Sequence, residues 1–308
     1  MKVLVTGGAG FVGSHVVDAL LKGGHRVVIV DDLSSGHRMN VHQGVKCYKV
    51  ALTSPKLEHV FKKERFDAIC HLAAKTNMRE SLSDPYADIT SNILGLVHLL
   101  ELASKKYPVK KFVFSSTGGA LYGNAKTLPC VEDMPANPIS PYGVAKLAGE
   151  KYLYYYHHVH DLPVVILRYS NVYGPRNERK EHVGAVTSFI QRVRDGKKIY
   201  INGNGKQTRD FVYVEDVARA NVRALSRRKR NYLVCNISGG VETSVIRVIR
   251  LIERFIGKKA KLVFKPAIRG EVKRSILSNK RAKQYLRWTP RYSVEEGVAK
   301  TVDHLRGQ

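Results

Sequence analysis

Short apolar runs recur along the chain, and between them the apolar positions return every three or four residues. The runs occupy residues 2–6, 27–31, 46–50, 68–73, 111–115 and 163–168 and are rich in Val, Ile and Leu. Helical spacing occupies 13–23, 87–105, 141–160 and 183–195. Nearly continuous apolar strands alternating with helices predict βαβ units and a parallel sheet buried on both faces. In the second half the strands shorten and Gly, Pro and Arg become commoner, with a strand expected at 232–237 and helices at 243–256, 279–286 and 293–305. The pattern predicts an α/β fold, a doubly wound parallel sheet with a smaller C-terminal α/β domain. The sheet domain is expected over 1–170, with segments near 206–236 returning to it, and the second domain over 171–308. A functional cleft is expected at the carboxyl ends of the strands, where such sheets bind their ligands.

The turn after the first strand sharpens this picture. Gly7, Gly10 and Gly13 follow Val3-Leu4-Val5-Thr6 at three-residue spacing and open a helical pattern near Phe11. Glycine allows the tight turn and a close approach to a pyrophosphate, while a helix N-terminus offers free N–H groups. The second strand ends in Asp31, placed to grip a ribose 2′-hydroxyl and to repel a 2′-phosphate. The combination reads as a Rossmann dinucleotide site that takes NAD rather than NADP.

Composition narrows the class. The 308 residues carry 52 Lys+Arg against 26 Asp+Glu, a net charge of +26. Basic residues thicken at 227–230, 258–261 and 280–283, but without the interleaved aromatics that stack on bases, so they read as a solvated surface rather than a nucleic-acid site. No apolar run approaches the roughly 18 residues of a membrane span, and no leader is expected before the first strand. Cys47, Cys70, Cys130 and Cys235 stand singly, without metal-ligand spacing, and read as reduced thiols of a cytoplasmic protein. The histidines show no metal spacing either.

Candidate chemistry sits at Ser140-Pro141-Tyr142-Gly143-Val144-Ala145-Lys146. A tyrosine and a lysine four apart share one helix face. The ammonium favours the phenolate and is expected to lower the phenol from about 10 towards neutrality, as would a cationic oxidised nicotinamide. Such a phenol suits removal of a proton from a substrate hydroxyl while hydride leaves its carbon. Thr117, just past the 111–115 run in Phe114-Ser115-Ser116-Thr117, is expected to bond the same substrate oxygen, with Ser116 as the alternative.

With these motifs in hand, the chain resembles the extended short-chain dehydrogenase/reductase family, in particular its UDP-glucose 4-epimerase type. The motifs are TGGAGFVGSH at the start, DDLSSG at 31–36, HLAA at 71–74, SSTGGALYG at 115–123, SPYGVAK at 140–146, RYSNVYGPR at 168–176 and RDFVYVEDVA at 209–218. The resemblance implies NAD cradled by Gly7, Gly10, Phe11, Val12 and Gly13. Asp31, Asp32 and Ser35 would lie at the adenosine ribose, with Leu72, Ala73, Ala74 and Ser115 along the path to the nicotinamide. Asn92 would steady the helix behind it, and Lys146 would bond the nicotinamide ribose and tune Tyr142. It implies catalysis by Thr117, Tyr142 and Lys146. A UDP-hexose would be bound through Ser116, Thr117, Asn171, Arg209, Arg269 and Ser275. The implied reaction oxidises C4 to a ketone, lets the intermediate rotate and returns hydride to its other face. A homodimer is implied through the helices near 87–105 and 141–160, the latter carrying Tyr152, Tyr154, Tyr155 and Tyr156.

Three positions depart from the family pattern. Ala51 stands where relatives place an acid on the adenine amine. Ile268 stands where they place a diphosphate-binding arginine, which here comes one residue later as Arg269. Ser275 replaces a bulky tyrosine over the C2 substituent, so N-acetyl hexoses are expected to fit as well. Gly118 and Gly119 follow Thr117 where a sugar-nucleotide 4,6-dehydratase or decarboxylase carries acids. A basic RNA-binding descendant of the scaffold is the remaining alternative, and the complete Thr117–Tyr142–Lys146 set speaks against it.

Overall fold

The structure is a computed structural model that describes residues 1–178, 184–227, 229, 231–267 and 272–307. Its strands are β1 (Lys2–Thr6), β2 (Arg26–Asp31), β3 (Lys46–Lys49), β4 (Ala68–His71), β5 (Lys111–Thr117), β6 (Val164–Tyr169), β7 (Asn171–Tyr173), β8 (Lys198–Asn202), β9 (Thr208–Tyr213), β10 (Leu233–Ile237), β11 (Glu242–Ser244) and β12 (Lys261–Lys265). Its α-helices are α1 (Phe11–Lys22), α2 (Lys56–Glu64), α3 (Met78–Ser83), α4 (Pro85–Ile89), α5 (Gly95–Glu101), α6 (Pro141–His160), α7 (Ala185–Arg194), α8 (Val214–Ser226), α9 (Val245–Ile256), α10 (Lys280–Leu286) and α11 (Val294–Arg306).

Seven strands form one sheet in the order β10-β6-β5-β4-β1-β2-β3, and every neighbouring pair is parallel. From β1 the chain first winds one way to β2 and β3, then crosses to β4 on the other side. The strand order therefore reverses between β1 and β4, and a crevice opens above that reversal. The period-2 alternation of strands divides the core. Val3 and Val5 pack with Val16, Val17 and Leu20 of α1 and with Val217 and Ala220 of α8. Leu4 faces the other way, onto Leu96, Leu99 and Leu153 of α5 and α6.

Where a helix is expected over 87–105 the chain does run helically, but in four pieces. Two wide π turns, Thr90–Leu94 and Leu102–Lys106, alternate with α4 and α5. Helix α6 starts where its signals sit: Ser140 Oγ accepts from Gly143 N at 3.2 Å, and Pro141 takes the first turn, where its missing N–H costs nothing.

The C-terminal lobe holds a three-stranded sheet in the order β11-β9-β7 and the parallel pair β12-β8. Ile190, Ile199, Tyr213, Ile249, Ile252 and Val302 belong to its separate core. Helix α8 and strand β10 return to the large sheet. Asp210, fully buried in the middle of β9, ties the two parts together. Its carboxylate accepts from Leu277 N at 3.0 Å and Gly239 N at 2.8 Å. Burial nonetheless pushes it up to about 6.

Candidate active site

The first turn is shaped by contacts that only glycine tolerates. Gly7 has φ +71°, and a Cβ there would fall 2.6 Å from Ala73 N. A Cβ on Gly13 would fall 1.9 Å from Gly7 O. Helix α1 starts after Gly10 with no side-chain acceptor on its first N–H groups, leaving them for an anion. Asp31 is buried and oriented: Oδ2 accepts from Ala9 N at 3.0 Å and Oδ1 from Leu33 N at 2.9 Å. A Cβ on Gly36 would strike the same carboxylate at 2.8 Å. Together these make a backbone cradle beside a fixed acid, the shape and charge that a dinucleotide with a free 2′-hydroxyl requires.

One cleft is lined by nearly all the residues proposed for the cofactor. Gly7, Gly10, Phe11, Val12 and Gly13 form one side, and Asp31, Asp32 and Ser35 the far end. Leu72, Ala73, Ala74 and Ser115 lead from β4 and β5 to Tyr142 and Lys146 on α6. Asn92 stands outside this lining. Its amide instead clamps the backbone of Lys75, accepting from Lys75 N at 2.9 Å and donating to Lys75 O at 3.0 Å. It fixes the loop after β4 rather than facing the cleft.

Tyr142 and Lys146 stand one turn apart at the start of α6. The Lys146 ammonium donates to Ser115 O at 2.9 Å, lies 4.8 Å from the Phe114 ring centroid and 6.0 Å from that of Tyr142. Burial pulls Lys146 down to about 8, against the opposing pull of Asp88 and Glu150. The phenol does not follow the sequence expectation. Burial, with Asp88 adding to it, pushes Tyr142 well above its ordinary value. Desolvation of the phenolate outweighs an ammonium that is turned towards a carbonyl. The protein's own groups therefore keep the phenol protonated.

The two hydroxyl candidates part company here. Even-numbered residues of β5 face α6, as Phe112 and Phe114 do, while Val113 faces the other core. Ser116 follows that alternation: it is buried and its Oγ donates to Glu150 Oε1 at 2.5 Å. Glu150 is also gripped by Arg168, at 3.0 Å from Nε and 2.6 Å from Nη2. Ser116 borders the cleft, and its hydroxyl hydrogen is committed to this network. Thr117 lies on the opposite face, half-buried, where Oγ1 accepts from Ala120 N at 3.2 Å. That leaves its own hydrogen to donate. The alternation was readable in the sequence and separates the two.

The residues expected to hold the substrate come from the C-terminal side. Asn171 Nδ2 donates to Asp210 O at 3.2 Å, and Arg209 Nη1 to Thr208 O at 2.9 Å. Both are half-buried at adjoining positions of β7 and β9, where Asn171 pairs with Phe211. Neither they, Thr117 nor Ser275 line the dinucleotide cleft. Ser275 is half-buried, two residues before Leu277. Ile268 and Arg269 lie outside the described residues. Sequence reading missed several cleft residues, among them Thr53, Lys75, Ser91, Arg176 and Asn177. Arg176 ends the RYSNVYGPR segment and Asn177 follows it, and the ion pair of Arg176 with Asp18 at 2.8 Å joins them to α1. Ala51 lines the cleft between Val50 and Leu52, next to Thr53. Among the described residues no cluster of His, Cys, Asp and Glu could hold a metal.

Fold and site together define a dinucleotide-binding α/β protein with a tyrosine–lysine pair at the cofactor cleft. The chain belongs to the NAD dependent epimerase/dehydratase family, whose model matches residues 3–238. It is 39% identical over 313 residues to a UDP-glucose 4-epimerase from Mycolicibacterium smegmatis, covering 100% of this chain and 99% of that one. Among solved structures it is similar to the UDP-glucose 4-epimerase of Thermotoga maritima with UDP-glucose, at 41% identity and TM-score 0.96, over 100% and 99% of the two chains. The Thermus thermophilus UDP-glucose 4-epimerase complex with NAD is 38% identical with TM-score 0.93, over 100% and 99%.

Proposed function

We propose that this protein is an NAD-dependent epimerase that inverts C4 of a UDP-hexose, interconverting UDP-glucose and UDP-galactose. The observation that carries the reading is the placing of Tyr142 and Lys146, one helical turn apart, in the wall of a cleft whose other end is the Gly7–Gly13 cradle and Asp31. NAD would be held by that cradle, by Asp31 at the adenosine ribose and by Lys146. When bound, it supplies a hydride acceptor and a positive charge beside the phenol. Tyr142 then takes the C4 hydroxyl proton and later returns it. Lys146 keeps its charge close to the phenolate. Thr117, with one lone pair filled by Ala120 N, donates to the same substrate oxygen. Asn171, Arg209 and Arg269 are assigned to the diphosphate, for which guanidinium is the matching shape.

Against a dehydratase or decarboxylase stands the residue after Thr117. Gly118 offers no acid for elimination, and it packs against Leu277, whose Cδ1 would lie 2.3 Å from a Cβ placed there, so a side chain at this position would first have to displace Leu277. The domain division follows the cofactor and substrate roles: residues 1–170 with the returning α8 and β10 for NAD, the remainder of 171–308 for the UDP-sugar. A homodimer is proposed through the helices near 87–105 and 141–160, where Ile89, Leu94, Val144, Tyr155 and Val159 are exposed. The four cysteines are free, in keeping with a cytoplasmic site of action. No helix among the described residues is long and apolar enough to cross a membrane.

The test is incubation of the purified protein with UDP-galactose, without and with added NAD, followed by product analysis. Formation of UDP-glucose supports the reading. No epimer under either condition contradicts it.

A further inference from the structure

Asp88 is a buried carboxyl that the mechanism above does not use. It stands near the end of α4, 2% exposed, and its Oδ2 has no hydrogen-bond partner among the described residues. Its Oδ1 accepts from Asn92 Nδ2 at 2.9 Å, the same amide that clamps the Lys75 backbone. Helices α3 and α4 pack against α6, where Tyr142 N donates to Ser81 Oγ at 3.4 Å. The neighbouring acids Glu80 and Asp84 are exposed, so Asp88 is the one turned inwards. The charged and titratable groups facing it are Lys146 and Tyr142 from α6 and Lys75 from the segment after β4. Its own helical stretch contributes only the neutral Asn92. Burial raises the Asp88 carboxyl above its ordinary range, while Asn92, Lys146 and Lys75 pull it back.

We propose that Asp88 is a positioning residue for the Tyr142–Lys146 pair, its negative charge setting the pH window in which Lys146 keeps its proton and Tyr142 gives one up. The proposal rests on the epimerase reading of the same site. A negative charge beside the pair raises both groups: it favours the ammonium and disfavours the phenolate. Asp88 thus holds Lys146 charged against its burial. It also keeps Tyr142 protonated until a cationic ring offsets the carboxylate. Removing the charge moves both groups the same way, downwards. A side chain that merely supports the Lys75 loop would change turnover equally at every pH.

The experiment is the pH profile of UDP-galactose turnover by the holoenzyme, for the native protein, Asp88→Asn and Asp88→Glu. It is paired with ultraviolet titration of the Tyr142 phenol, each protein referred to its Tyr142→Phe counterpart. Asp88→Asn shifts both limbs of the profile and the phenol titration to lower pH, by about 1 to 3 units, and Asp88→Glu restores the native positions. Asp88→Ser makes the same charge removal should Asp88→Asn fail to fold. Limbs and phenol titration that coincide with the native ones, however slow the variant, overturn the proposal. A native protein that epimerises nothing overturns the epimerase reading itself. The phenol titration still judges Asp88 in that case.

Discussion

Ser116 donates to Glu150 at 2.5 Å, a hydrogen bond buried between β5 and α6 and continued into the pair of Glu150 with Arg168. The hydroxyl next to the chemistry is therefore structural. Ser116→Ala leaves a buried carboxylate short of one donor, which costs about 1–3 kcal/mol. Its melting temperature falls while KM for the sugar nucleotide stays near native. Thr117→Val behaves oppositely, with a near-native melting point and turnover lowered about 10- to 100-fold through the lost donor. Thermal melts and steady-state kinetics on the two variants distinguish the roles.

Ala51 gives a prediction in the favourable direction. It lines the cleft between Val50 and Leu52 without a hydrogen-bonding side chain, where the family resemblance implies an acid on the adenine amine. Ala51→Asp adds one hydrogen bond of about 1 kcal/mol, which tightens NAD about fivefold. Calorimetric titration of the cofactor-stripped protein reads the change. Unchanged or weaker binding would place the adenine elsewhere.

Acid stability follows from two histidines held neutral. Burial lowers His15 to about 4, against the 3.1 Å contact of its Nε2 with Pro175 O, and lowers His71 to about 3. Both titrate near 6.5 once the chain unfolds. Above that value neither state binds the proton. Below it the unfolded chain binds protons that the native one refuses, so stability falls as pH drops from 6.5 towards 4. Each histidine contributes a slope of about 1.4 kcal/mol per unit. Urea melts across that range check the sign, and His15→Gln flattens the slope by one histidine's share.

Ser275 sets the expected hexose tolerance. With a small residue there, UDP-N-acetylglucosamine is epimerised beside UDP-glucose. Ser275→Tyr removes turnover of the N-acetyl substrate at least tenfold more than that of UDP-glucose, an added discrimination of about 1.4 kcal/mol. Equal losses on both substrates would mean that another side chain shapes that end of the pocket.

Much of this molecule is written in contiguous segments, and those parts were legible. Strands β1 to β6 fall within a residue or two of the apolar runs, because most of them are buried on both faces and apolar at nearly every position; β3, an exposed edge strand, is the exception. The start of α6 was marked by Ser140 and Pro141. Helix α8 escaped because its inward positions include Ala218, Ala220 and Ala224, too small to stand out as an apolar stripe. The π turns around Asn92 carry ordinary helical spacing and gave no sign of widening. At the site, the cradle and Asp31 were legible since their work is done by backbone and by one strand end. The raised phenol was not. It depends first on burial that the folded sheet alone imposes, and then on Asp88, 54 positions before Tyr142.

The central claim is that the Tyr142 phenol moves the proton of the substrate's C4 hydroxyl. Tyr142→Phe removes that single oxygen from a half-buried ring and should leave the fold and NAD affinity intact. Its turnover of UDP-galactose should fall by about 100- to 10,000-fold, the usual worth of a positioned acid–base group. A Tyr142→Phe protein that binds NAD normally and keeps native turnover would contradict the account.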